Sequence, residues 1–336
     1  MPISKNPSTD TTTVPIPTAP TRKIVAGADT PVLGTLAALA FIAGLAALAG
    51  VTGISTVLFP EMGALSHDVL TRPRGTWARA PLALALTPVV TAMMGIVLAR
   101  HFAFGVVPVL LSVGTTVAIL QMFHSPIAPA LSAGLLPLVL GVTTWWYPPA
   151  ILLGTAGLAL LAALRSTPYA PHAASEAPPA TADDEAEAAA SGWAWLPPFF
   201  AFLLLVTTLA DATDWRLFLF PPLVVMAYEM FAHPAACPWA ARLWALLLAS
   251  TLSAVMGVTL VGMLGASVVA AVLTLGAGIL LLRLLDLHVP PVLAIGLLPF
   301  VMPHPEWRLP FAVAGSMLVL IGSFSLTRRW FSGQTQ

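Results

Sequence analysis

The sequence has little charge. Only 8% of its 336 residues are Asp, Glu, Lys or Arg, while 58% are hydrophobic; a soluble domain carries about 25% charged residues. No water-facing surface can be built from that supply. Charge imbalance is missing as well, since 14 basic and 14 acidic residues leave a formal net charge of +0, and nothing marks a nucleic-acid partner. The single cysteine, Cys237, excludes an intrachain disulfide. His-Glu-x-x-His, Gly-x-Ser-x-Gly and phosphate-binding glycine loops are all absent. No enzyme, cofactor or metal site is therefore expected, and ATP-driven transport would need a partner chain.

What the chain has is apolar sequence in continuous runs, with a mean hydropathy of +0.91. Runs rather than alternation point to helices and not to a membrane barrel. The expected fold is all-α: a polytopic transmembrane bundle whose main partner is the lipid bilayer. Residues 1–32 are rich in Pro and Thr and lack an apolar signal-peptide core, so they read as a disordered tail. Residues 166–192, dominated by Ala, Pro and acids, read as a solvated linker.

The linker separates two similar halves, 33–165 and 193–331. "LFPEMGALSHDVLTRP" (58–73) matches "LFPPLVVMAYEMFAHP" (219–234), Trp77 meets Trp239, and Gly134-Leu-Leu-Pro137 meets Gly296-Leu-Leu-Pro299. The order holds over a whole half, which reads as an internal duplication. Each copy offers six apolar segments: near 34–50, 54–70, 81–99, 103–122, 126–141 and 148–164, then near 194–210, 216–231, 241–262, 265–285, 290–302 and 309–327. Segments two and five are the odd ones, since the former carries Phe-Pro inside and the latter opens on His-x-Pro and is short.

If all segments cross from a cytoplasmic N-terminus, the 14 basic residues divide 11 to 3, with Arg100, Arg216 and Arg308 alone outside. That bias favours cytoplasmic termini and linker in an inner (plasma) membrane. An even number of crossings per copy makes the repeats parallel.

An interior proline breaks or kinks a helix, and freed backbone groups survive in hydrocarbon only when buried in protein or lining a wet cavity. Pro60, Pro126, Pro222 and Pro290 are thus expected at the starts of half-helices. Their N-termini would form anion sites along one pathway that also includes Phe59, Gly63, Ala64, Phe220, Pro221 and Pro291. Simple packing kinks are the competing reading. His124 (with Ser125) and His288 recur before the two fifth segments, as donors, as proton carriers or as caps for freed carbonyls. Asp68 and Glu229 form another pair, read either as snorkelling surface carboxylates or as gating and coupling groups. Glu61 stands where the second copy has Pro222, and a carboxylate beside an anion site repels the ligand unless protonated.

"LFPPLVVMAYEMFAHPAACPW" and the His-x-Pro-Pro of 288–291 resemble the HPP family of integral membrane proteins, and "FPEMGALSHDVLTRPRGTWARAP" with "HSPIAPALSAG" resembles a second, more diverged copy. The resemblance runs from about 34 to 327. His-Pro-Pro itself is nowhere intact: the first copy has His124-Ser125-Pro126, the second His288-Val289-Pro290-Pro291. Plant plastid members of that family are implicated in nitrite transport. The resemblance therefore implies a transporter or channel for a small inorganic anion. A scaffolding membrane protein without transport is the alternative.

Overall fold

A computed structural model describes residues 31–165, 184, 192–234 and 236–332. The tail and the acidic linker lie outside the described residues, apart from Pro31 and Val32, which begin the first helix, and from Asp184 and Gly192. Among the described residues every element is a helix: α1 Pro31–Thr52, α2 Glu61–Thr71, α3 Pro81–His101, α4 Val106–Met122, α5 Ala130–Leu140 and α6 Tyr147–Arg165, then α7 Leu196–Ala212, α8 Pro221–Ala232, α9 Leu243–Leu264, α10 Val268–Leu284, α11 Pro290–Leu297 and α12 Arg308–Ser332.

Five of them (α1, α3, α6, α9 and α12) are long and apolar enough to cross a membrane. Helices α4, α7 and α10 have 17 residues each, or about 26 Å of rise. The other four are short, with 11, 11, 12 and 8 residues in α2, α5, α8 and α11.

The long helices stand outside and the short ones inside. On α3, Leu82, Leu86, Val90, Met93 and Val97 are exposed at helical spacing, while Leu84, Thr91, Ala92, Gly95 and Ile96 turn inward. An exposed apolar stripe opposite a buried face that includes a hydroxyl and a glycine is the pattern of a helix that meets lipid. The short helices are buried along almost their whole length. Helix α2 packs on α11 and α5 on α8, while α1 packs on α10 and α4 on α7. Each short helix also rests on a neighbour of its own half: α5 and α11 on the long α3 and α9, α2 and α8 on α1 and α7.

Small residues and hydroxyls hold those contacts. A Cβ added at Gly95 would lie 2.3 Å from the Gly134 carbonyl oxygen, and one at Gly257 would lie 2.2 Å from that of Gly296, so α3 touches α5, and α9 touches α11, backbone to backbone. Alongside, Thr91 Oγ1 donates to the Ala130 carbonyl (2.8 Å), Ser112 Oγ to that of Gly134 (2.9 Å) and Ser253 Oγ to that of Val292 (2.7 Å). Packing and hydroxyl bonds of this kind join helices where lipid removes the hydrophobic drive.

Prolines start all four short helices. Pro60 caps α2 after a 3-10 turn at Ser55–Val57, α8 opens on Pro221-Pro222, and α11 on Pro290-Pro291. A first-turn proline loses no intrahelical bond and has φ preset for the helix. The expected start of α5 at Pro126 is corrected: Pro129 is the capping residue, and 126–129 forms turns in which Ala128 N–H donates to Pro126 O and Ala130 N–H to Ile127 O. The Pro126 carbonyl also accepts from Trp77 Nε1 (3.1 Å).

Two ends of the bundle can be told apart. One gathers the start of α1, the ends of α2, α4 and α10 and the starts of α3 and α9, joined by Arg283–Thr35, Arg242–Asp286 and Trp77–Pro126 contacts. The other gathers Arg100, bonded to Thr143 O, and Arg216 and Arg308, whose guanidinium groups lie over Phe104 and Trp215. Exposed tryptophans mark both ends: Trp193 and Trp244 at the first, Trp145, Trp146 and Trp307 at the second.

Candidate functional site

The residues expected to line a pathway are mostly core. Phe59, Pro60, Gly63, Ala64, Phe220, Pro221, Pro222, Pro290 and Pro291 are all buried. Gly63 allows α2 to close on α11, since a Cβ there would meet the Leu297 side chain at 2.7 Å. The expected amide cradles are also corrected. Prolines 221, 222, 290 and 291 have no N–H, and the next amides are engaged, Leu223 N–H with Phe220 O (3.0 Å) and Val292 N–H with Val289 O (3.1 Å). At α2, Met62 and Gly63 N–H groups turn back on Phe59 O and Pro60 O. These amides are engaged within their own turns.

The histidines are not equivalent. The register that aligns Gly134 with Gly296 sets His124 opposite Asp286, and both have left-handed backbone, each with φ 48°. Both also close the same turn: His124 N–H donates to Gln121 O and Ser125 N–H to Leu120 O, as Asp286 N–H donates to Arg283 O and Leu287 N–H to Leu282 O. Asp and His are among the non-glycine residues that tolerate this conformation. His124 is exposed. Ser125 beside it is buried, with its Oγ 3.0 Å from Thr87 Oγ1.

His288 stands elsewhere, at the seam between the halves. Arg72 Nη1 lies 2.7 Å from Asp68 Oδ1 and 3.0 Å from His288 Nε2, and that nitrogen is 3.3 Å from the same Asp68 oxygen. Arg72 Nη2 reaches on to Asp184 Oδ1 at 2.8 Å. The snorkelling reading of the two carboxylates is overturned, because Asp68 is 0% and Glu229 1% exposed. Asp68 is buried because α2 is enclosed by α1 and α11, and Arg72 one turn later reaches back to neutralise it. Beside this network a cavity of about 220 Å³ is lined by His67, Arg283, His288, Thr71 and Pro290, together with aliphatic residues of 279–289. All of its ionisable lining residues are basic.

A second cavity of about 310 Å³ opens at the other end, between Val139, Leu140, the 214–217 turn, Met302 and the start of α12. It is lined by Arg216, Arg308 and His304, with Asp214 and Glu306. Pro290 borders the first cavity and Met302 the second, so the two lie at opposite ends of the α11 segment. Between them α2, α11 and their neighbours are packed shut.

No family model, curated protein or solved structure matches the chain.

In the first half, Glu61 is 1% exposed; its Oε1 accepts from Ser132 Oγ at 2.5 Å, while Oε2 has no hydrogen-bond partner. Tyr147, fully buried, donates to the Ala133 carbonyl (2.9 Å), one residue from Ser132. Ser132 and Tyr147 escaped the sequence reading, as did His67 and Arg283 of the first cavity and Arg216, His304 and Arg308 as lining residues of the second. One signal for the pair was available: in the register of the two halves Glu61 and Ser132 align with Pro222 and Ala294, and the first turn of α12 has no phenol. Among the described residues no group of His, Cys, Asp and Glu has the geometry of a metal site.

Proposed function

We propose that this is an integral membrane protein that carries a small inorganic anion between two vestibules, one at each end of α11. The observation that carries the reading is the pair of cavities at opposite ends of one buried short helix, each with arginine and histidine in its wall. Arginine and histidine side chains attract a hydrated anion and replace part of its shell, and the packed middle corresponds to an occluded state. The internal duplication belongs to this proposal. So do parallel repeats, interrupted second and fifth segments, and cytoplasmic termini in an inner membrane. They are supported by the matching contacts of α2 with α11 and α5 with α8, and by an arginine distribution with Arg100, Arg216 and Arg308 at one end. The HPP-family resemblance of 219–239 and 288–291 agrees with it.

The test is flux into proteoliposomes of the full chain against a panel of nitrite, nitrate, chloride and formate, with potassium and sodium as cation controls. Saturable uptake of at least one anion, without cation uptake, is expected. Uptake no faster than in empty liposomes across the panel would leave a scaffold and refute the proposal.

A further inference from the structure

Glu61 is a buried acid that the vestibules do not use. It opens α2, whose 11 residues end beside Arg72. At about 1.5 Å per residue Glu61 is then ~16 Å from that end, near half of a hydrocarbon core of ~30 Å. We propose that Glu61, bonded by Ser132 and faced by Tyr147, is a proton-binding site that loads one proton with each anion, so that transport is a proton–anion symport. The coupling rests on the anion-transport reading; the proton site itself does not.

The surroundings select a proton over other ligands. A buried carboxylate is stabilised by a cation or by several donors, and Glu61 has one hydroxyl donor. Of the elements packed against α2, α1 and α11 contain no titratable side chain, and neither does α5, which supplies Ser132. From α6 the titratable group is Tyr147, with Arg165 at the far end of that helix. Among the described residues of these elements no cation therefore faces the carboxylate. A sodium ion wants about six oxygen ligands, as hard cations do, and this site offers a carboxyl and a hydroxyl. The balance is simple: carboxylate plus proton gives the neutral acid on loading and the reverse on release. A monovalent anion moving with that proton carries no net charge. The set occurs once, because Pro222 and Ala294 occupy the matching positions of the second half, so one proton per cycle is the expected stoichiometry.

Labelling with the hydrophobic reagent dicyclohexylcarbodiimide, which reacts with protonated carboxyls in apolar surroundings, tests the site in full-length detergent-solubilised protein. An adduct at Glu61 is expected by peptide mass spectrometry, falling as pH is raised and unchanged by sodium chloride. No adduct at any pH, an adduct confined to Asp68 or Glu229, or protection by sodium would overturn the proton site. In proteoliposomes, Glu61→Gln keeps the shape of the side chain. It should abolish anion accumulation driven by an inward proton gradient while leaving anion–anion exchange intact. Accumulation equal to wild type would overturn the coupling. Because labelling needs no transport, a protein that moves no anion but labels at Glu61 would refute the transport reading and keep the proton site.

Discussion

The bond between Asp68 and Arg72 is expected to be worth more than its position at the end of a helix suggests. Asp68 is fully buried, and Arg72 is 21% exposed in its side chain, 2.7 Å away. Leaving one member of a buried pair without its partner costs about 3–5 kcal/mol. Arg72→Ala does not strip Asp68 completely, because His288 Nε2 remains 3.3 Å from the same oxygen, and the partial exposure of Arg72 lets water assist. A loss of about 2 kcal/mol is therefore expected, below that range. Asp68→Asn in the same chain removes the buried charge, so the double variant should recover about 1 kcal/mol or more of it, a coupling of the size found for residues in contact. Asp184→Asn, at the outer nitrogen of Arg72, should cost under ~1 kcal/mol, as partly exposed pairs do. Reversible unfolding by sodium dodecyl sulfate in mixed micelles, followed by tryptophan fluorescence, reads these differences. Additive losses in the double variant, or an Arg72→Ala protein as stable as wild type, would refute the claim that buried Asp68 is held by its ion pair with Arg72.

Gly257→Ala puts a Cβ 2.2 Å from the Gly296 carbonyl oxygen and should destabilise by about 1–3 kcal/mol, as overpacking does. Gly44→Ala, which meets nothing within 4 Å, should be neutral or stabilising in the same unfolding assay. His288→Ala should reduce anion uptake in proteoliposomes, whereas His124→Ala, exposed and away from both cavities, should leave it near wild type; equal losses would contradict the inequivalence of the two. Burial holds His233, at the end of α8, below its ordinary 6.5. The unfolded chain therefore takes up that proton first, and the stability from neutral His233 is present above about 6.5 and lost as pH falls below it. His233→Asn should flatten this part of the stability–pH curve, and an unchanged slope would show that His233 does not contribute to it.

The helical segments were legible in the sequence because apolar runs and prolines act locally: all twelve expected segments correspond in order to helices. Segment five of the first half began four residues late, because Pro126 and Pro129 both satisfy the local rule and only the turn between them decides. The burial of Asp68 and Glu229 was not legible. A carboxylate near the end of an apolar segment reads as surface until the neighbours that enclose it are known. His124 and His288 looked equivalent because each precedes a proline. Backbone geometry pairs His124 with Asp286 instead, a match that the Gly-Leu-Leu-Pro register already contained. The amide cradles failed for a reason visible in the sequence, since paired prolines at 221–222 and 290–291 remove the donors that an anion would need. The contact between Glu61 and Ser132 spans 71 positions, and no local pattern announces it.

The end-to-end route is tested most directly by initial rates of anion uptake in proteoliposomes for Arg283→Gln and Arg308→Gln, one variant at each vestibule. A path running along α11 predicts saturable uptake in the wild type and a slower rate in both variants at equal protein density. Undiminished uptake in either variant, or wild-type uptake no faster than in empty liposomes, would contradict it.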